Sequence, residues 1–168
     1  MAQSRLQLQA WAGWRRTIEW ALAGLVVAVL VVVFARHMRV VQGQGEFAAV
    51  KTTLGALRTA LVIDYLHRHA DPASGESVVK EPRSPFDLLQ YPPVNYVGVV
   101  SARQAHVVAP GSWVYDSSCP CVGYRPLGDD WFDSPSGEPM AWYLLGGAPG
   151  PLQLTARERY LWQDQVLD

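Results

Sequence analysis

The chain has 168 residues and a formal net charge of −1, from 14 Lys/Arg and 15 Asp/Glu. That length allows one modest domain plus an anchor, and so even a charge balance leaves no electrostatic footprint for nucleic acid. The charges are unevenly placed: residues 1–69 carry eight Lys/Arg against three Asp/Glu, and residues 110–168 carry three against eight.

The N-terminal segment combines Arg15, Arg16 and Glu19 with the unbroken apolar run Trp20–Ala35 (WALAGLVVAVLVVVFA). Eighteen residues from Ile18 to Ala35 include a single charge, Glu19. A spanning helix needs about 20 residues, with about 17 as the lower limit, whereas a secretory apolar region has about 7–15. The run therefore reads as a retained anchor, with Val33-Phe34-Ala35 supporting the competing reading of a cleaved signal. Arg5, Arg15 and Arg16 precede it, Arg36, Arg39 and Lys51 follow it, and Trp11, Trp14 and Trp20 gather on its N-terminal side. Indoles favour the headgroup layer, and basic residues favour the cytoplasmic side. The expected arrangement is a single-pass inner-membrane protein with its N-terminus cytoplasmic and the rest periplasmic. A carboxylate at the edge of a span is costly and marks a candidate functional site. On a helix, Arg15 and Arg16 fall four and three residues before Glu19, within reach of it. Two roles stay open: an intrahelical pair at the interface, and a contact with another membrane component.

All twelve prolines lie at Pro72 or later, so nothing forbids one helix through the first 69 residues. Phe47, Val50, Leu54, Leu57, Leu61 and Tyr65 recur at steps of three and four, which is one helical stripe. Lys51, Arg58 and Arg68 fall largely off it. The stripe is expected to pack on its own domain, with a partner-helix seam as the alternative. Gly43 and Gly45 are expected to kink or fray the helix. His69-Ala70-Asp71-Pro72 is the stop signal. Residues 70–85 read as a polar loop, and Pro85-Phe86-Asp87-Leu88-Leu89 as a short helical turn closed by Tyr91-Pro92-Pro93.

From Asn95 onward, short β-prone runs alternate with Gly, Pro, Asp and Ser. Predicted strands are Tyr96–Val100, Trp113–Asp116, Cys121–Arg125, Met140–Leu145 and Leu152–Thr155. Gly128–Pro139 reads as a long loop, and Arg157–Gln163 as either helix or edge strand. One amphipathic helix on a small antiparallel sheet gives an α+β fold, with Leu54, Leu57, Leu61, Trp113, Tyr115, Trp142 and Leu144 as its expected core. The predicted organisation is a cytoplasmic leader (1–14), a transmembrane helix (15–36), an amphipathic continuation (37–69) and a periplasmic head (70–168).

Cys119-Pro120-Cys121 is the only cysteine pair, placed on the oxidising side of the membrane where close thiols tend to oxidise. One intervening residue makes a tight ring. The expectation is a structural bond or two thiols at a hairpin turn, and thiol–disulfide exchange is the enzyme-class alternative. This is not a C-x-x-C motif, and no thioredoxin-like βαβ pattern surrounds it. His37, His67, His69 and His106 are dispersed, and Asp129, Asp130 and Asp133 read as a solvated acidic loop, so no metal or other cofactor is expected. No nucleophile-elbow, zincin, Walker or dinucleotide fingerprint is present, so neither catalysis nor a small-molecule substrate is expected.

A basic leader, a glutamate heading an apolar helix, an amphipathic continuation and a small β-sheet head together resemble the type IV pilins and pseudopilins. Thr17-Ile18-Glu19-Trp20-Ala21-Leu22-Ala23-Gly24-Leu25-Val26-Val27 is similar to the pilin start. Pro85-Phe86-Asp87-Leu88-Leu89, Pro92-Pro93-Val94-Asn95-Tyr96-Val97-Gly98 and Gly111-Ser112-Trp113-Val114-Tyr115-Asp116 are similar to segments of accessory pilin-like proteins of the mannose-sensitive haemagglutinin pilus. The resemblance implies a non-enzymatic component or biogenesis factor of a type IV pilus or type II secretion assembly. Its partners would be inner-membrane lipid and other pilus or secretion proteins. The family is cut directly after a glycine, leaving the glutamate fifth. Here that position is Arg15, preceded by Trp14, with Gly13 one step too far away. The expectation is therefore an unprocessed accessory protein rather than a polymerising subunit. A generic signal-anchored periplasmic binding domain is the remaining alternative.

Overall fold

The computed structural model describes residues 2–70, 84–100, 107–147 and 150–167, with side chains in the first helix at position 14 and from position 16 onward. The polar segment 71–83, His106 and the side chains of Arg5, Trp11 and Arg15 lie outside the described residues. The architecture is α+β: one long N-terminal helix and a small, largely antiparallel sheet domain. Helix α1 spans Ala2–Ala70. It runs through Gly43 and Gly45 without interruption, so the expected fraying does not occur. The chain divides into two compact units, Met1–Gln42 and Gly43–Asp168.

Within the first unit, every side chain from Trp20 to Ala35 is exposed. This helix is long and apolar enough to cross a membrane once.

The second unit holds eight strands among the described residues: β1 (Tyr96–Val100), β2 (Ser112–Asp116), β3 (Cys121–Arg125), β4 (Phe132–Asp133), β5 (Ala141–Gly146), β6 (Gln153–Ala156), β7 (Tyr160–Trp162) and β8 (Gln165–Leu167). Five form one sheet in the order β1-β2-β3-β5-β6, and three form another in the order β4-β7-β8. All pairings are antiparallel except β1 with β2, which is parallel. The first strand thus departs from the antiparallel sheet expected.

Period-two alternation sorts the large sheet's side chains between its faces. Trp113 and Tyr115 of β2, Val122 and Tyr124 of β3, and Ala141 and Tyr143 of β5 join one cluster with Val50, Leu54, Leu57 and Leu61 of α1. Those four helical residues belong to the predicted stripe of six; Phe47 packs against the cluster half-buried, and Tyr65 is not part of it. Each buried side chain of this size contributes about 1.5–3 kcal/mol, which is what holds the helix to the sheet. A 3-10 helix over Pro85–Leu88 is capped by the Ser84 hydroxyl. It inserts Phe86 against Tyr96 and Trp113, with ring centroids 4.1 and 5.9 Å away.

The other face has its own, smaller cluster: Val114, Cys121, Met140 and Trp142 with Val108. Trp142 is therefore buried as expected, but away from the helix. Leu144 does not belong to the core; it lies on that outer face opposite Cys121 and remains 37% exposed. Alternation from Trp142, two residues earlier on β5, puts it on that face.

The segment 128–139 is more structured than a loop, containing a 3-10 helix at Asp129–Trp131 and the short strand β4. Within Arg157–Gln163 there is no helix: Arg157-Glu158 bends, Tyr160–Trp162 is the strand β7, and Gln163 opens a turn. Strands β7 and β8 form a hairpin whose two linking residues, Gln163 and Asp164, have φ of +47° and +64°. Two left-handed residues match the right-handed twist of flanking strands. The Tyr160 hydroxyl fastens this small sheet to the large one, accepting from Trp142 N at 2.9 Å and donating to Trp142 O at 3.3 Å.

Candidate functional site

Among the described residues, three places stand out for chemistry beyond apolar packing. The first is the predicted assembly contact. Glu19 and Arg16 are both exposed on α1, one helical turn apart. No ion pair joins them among the described residues, and the Arg15 side chain lies outside those residues.

The second site was not foreseen. Glu46 is 8% exposed, a carboxylate almost wholly buried in the head. Its Oε1 accepts from the Tyr124 hydroxyl and from the Leu127 backbone N–H, both at 2.7 Å. Its Oε2 accepts from the Trp131 indole at 3.0 Å. Burial of a carboxylate is tolerated when its lone pairs are filled in this way. Tyr124 sits well above the ordinary phenol range, first because it is buried and then because it donates to the Glu46 carboxylate. One turn earlier, the Trp162 indole donates to Gly43 O at 2.8 Å. Helix α1 is thus docked by polar contacts at Gly43 and Glu46 before the apolar stripe begins. The sequence carried a signal: Glu46, Val50 and Leu54 fall at four-residue steps, so this glutamate belongs to the buried face.

The third is the cysteine pair at the turn between β2 and β3. Cys119 and Cys121 are joined by a disulfide, with Cα atoms 5.3 Å apart. Cys121 is fully buried and Cys119 half-buried. Asp116, the last residue of β2, is 0% exposed. Its Oδ1 accepts from Ser118 N at 2.8 Å and from the Ser118 hydroxyl at 2.6 Å. Its Oδ2 is buried and meets no hydrogen-bond donor among the described residues. A carboxylate oxygen of Asp116 and the two sulfurs lie within 4.8 Å of one another. That is a cluster sequence spacing alone did not reveal, because Asp116 ends β2, Cys119 lies in the turn and Cys121 opens β3 opposite Asp116.

Asp129, Asp130 and Asp133 are exposed, and they do not form a cation-sized cluster among the described residues. His69 Nδ1 lies 2.8 Å from the Tyr65 carbonyl of its own helix. Elsewhere, the Glu158 carboxyl is held below its ordinary range, chiefly by the Ser136 hydroxyl. It also accepts from Ser136 N at 3.0 Å and Ser134 Oγ at 3.2 Å.

No protein-family model, curated protein or solved structure matches the chain.

Proposed function

We propose that this protein is a pilin-like component or biogenesis factor of a type IV pilus or type II secretion-type assembly. It acts by anchoring in the inner membrane and by protein–protein contact, with an acidic head on the periplasmic side. One observation carries the reading. The helix that holds the exposed apolar run Trp20–Ala35 is the same helix whose later turns bury Val50, Leu54, Leu57 and Leu61 in the sheet domain. An element used at one end for lipid and at the other for a head's core is what an anchored scaffold needs. The absence of a glycine directly before Arg15 supports an unprocessed accessory role.

Glu19→Leu tests the assembly contact. It removes a group that costs about 2.5–3.5 kcal/mol at a bilayer's centre and less near its edge. Membrane abundance should therefore hold or rise, while co-purification with pilus or secretion proteins and the output of that machine should fall. Unchanged association and output would leave Glu19 only an intrahelical role. Deleting the gene without any effect on surface pili or secretion would overturn the reading as a whole. Intact-mass measurement of the native membrane protein should give the unprocessed chain. A species starting at Trp14 or Arg15 would make it a processed minor pilin, and loss of residues 1–35 would make the apolar run a secretory signal.

A further inference from the structure

We propose that Cys119 and Cys121 form a thiol–disulfide exchange site whose substrate is a partner's dithiol, and that Asp116 poises the bond for reduction. The argument starts from the orphaned oxygen. A buried acceptor without a donor costs about 1–3 kcal/mol, more when it is charged. Asp116 Oδ2 is such an acceptor, and one oxygen of the same carboxylate lies within 4.8 Å of two sulfurs that carry no hydrogen while they are bonded to each other. Reduction brings new donors to this carboxylate, because each thiol it creates carries an S–H within 4.8 Å of one of its oxygens. The carboxylate therefore favours the reduced form over the oxidised one.

The unequal burial of the two sulfurs sets the order of events. A partner thiolate attacks the half-buried Cys119 Sγ. A new S–S bond forms there as the Cys119–Cys121 bond breaks. Its electron pair goes to Cys121 Sγ, which takes up a proton and donates to Asp116. The partner's second thiol, as thiolate, then attacks the partner sulfur of the mixed disulfide, and Cys119 leaves and is protonated. The partner's dithiol is oxidised by two electrons, the protein's disulfide is reduced by two, and the two protons pass from one dithiol to the other. This inference stands on the head alone and does not depend on the pilus reading.

The test uses the full-length protein in detergent, equilibrated against mixtures of reduced and oxidised glutathione, with trapped thiols counted by mass. The wild-type pair should titrate within the accessible range of such mixtures. Asp116→Asn, which replaces the acceptor with an amide donor, should need a glutathione couple about tenfold more reducing in equilibrium-constant terms, about 30 mV. Near-ultraviolet circular dichroism of the oxidised variant reports whether its fold is intact. A second measurement needs no variant: the glutathione mixed disulfide trapped from the wild type should map to Cys119 rather than Cys121. A bond untouched by millimolar reduced glutathione would overturn the proposal. So would adducts on Cys121, or a folded Asp116→Asn variant with an unchanged midpoint.

Discussion

Glu46 shows how much one residue can decide. It gathers a phenol, an indole and a backbone N–H from three parts of the head, and all three donors lose their partner if it is removed. Hydrogen bonds to a charged group are worth about 1.5–3 kcal/mol each, and a stranded buried donor costs about 1–3 kcal/mol. These contributions share one site and do not add, so Glu46→Ala should destabilise the head by about 2–4 kcal/mol. Glu46→Gln should cost less. Its remaining oxygen can still serve Tyr124 and Leu127, but its amide then faces the Trp131 donor. Urea unfolding followed by tryptophan fluorescence would separate the two variants. A loss below about 0.5 kcal/mol for Glu46→Ala, the range of an ordinary surface change, would mean that the carboxylate holds nothing together.

At the scale of elements, the two glycines of α1 that looked alike in sequence have opposite reasons to be there. A Cβ at Gly45 would meet nothing within 4 Å, whereas one at Gly43 would run into the Gln163 side chain and come within 3.3 Å of the Trp131 ring. Gly45→Ala should raise head stability by about 0.5–1 kcal/mol, the usual gain in a helix interior. Gly43→Ala should gain less or lose, because Gln163 must move aside. Equal gains in thermal unfolding would show that Gln163 yields freely. The same contrast explains what the sequence made legible. Steps of three and four placed Val50, Leu54, Leu57 and Leu61 in the core, and alternation with turn residues located β1, β2, β3, β5 and β6 to within a residue or so at each end. Strand direction does not appear in such patterns, so the parallel β1–β2 pairing was hidden. So was the β7–β8 hairpin, because Gln163-Asp164 occupies a turn for which Asn-Gly is the recognisable signature. At the candidate sites, the Cys119–Cys121 pair was plain from spacing, but Asp116 was joined to it only by the return of β3 alongside β2.

At the scale of the whole molecule, stability outside the apolar helix rests on an aromatic head. Tyr115, Tyr124, Tyr143 and Tyr160 lie within one packed cluster, with Tyr96 against it. Of the chain's seven tyrosines, Tyr96, Tyr115, Tyr124 and Tyr160 are each shifted above the ordinary phenol value of 10.0, with burial as the largest cause in every case. For Tyr124 the neighbouring Glu46 adds to the shift, and for Tyr115 the nearby Asp116 does. The sign of the linkage follows from which state binds the proton more tightly. Above pH 10 the folded head holds phenolic protons that the unfolded chain releases, so unfolding becomes easier as pH rises. Stability from these four groups is fully present below pH about 10 and is lost through the alkaline range above it. Titration of the full-length protein in detergent, followed at the phenolate absorbance, should therefore show these four phenols ionising late, in step with loss of near-ultraviolet circular dichroism. Glu46→Gln removes the charge facing Tyr124 and should bring that phenol's ionisation to lower pH, provided the head remains folded at neutral pH. A single reversible step accounting for all seven phenols, with the head's dichroism intact, would contradict this account of how the head is held together.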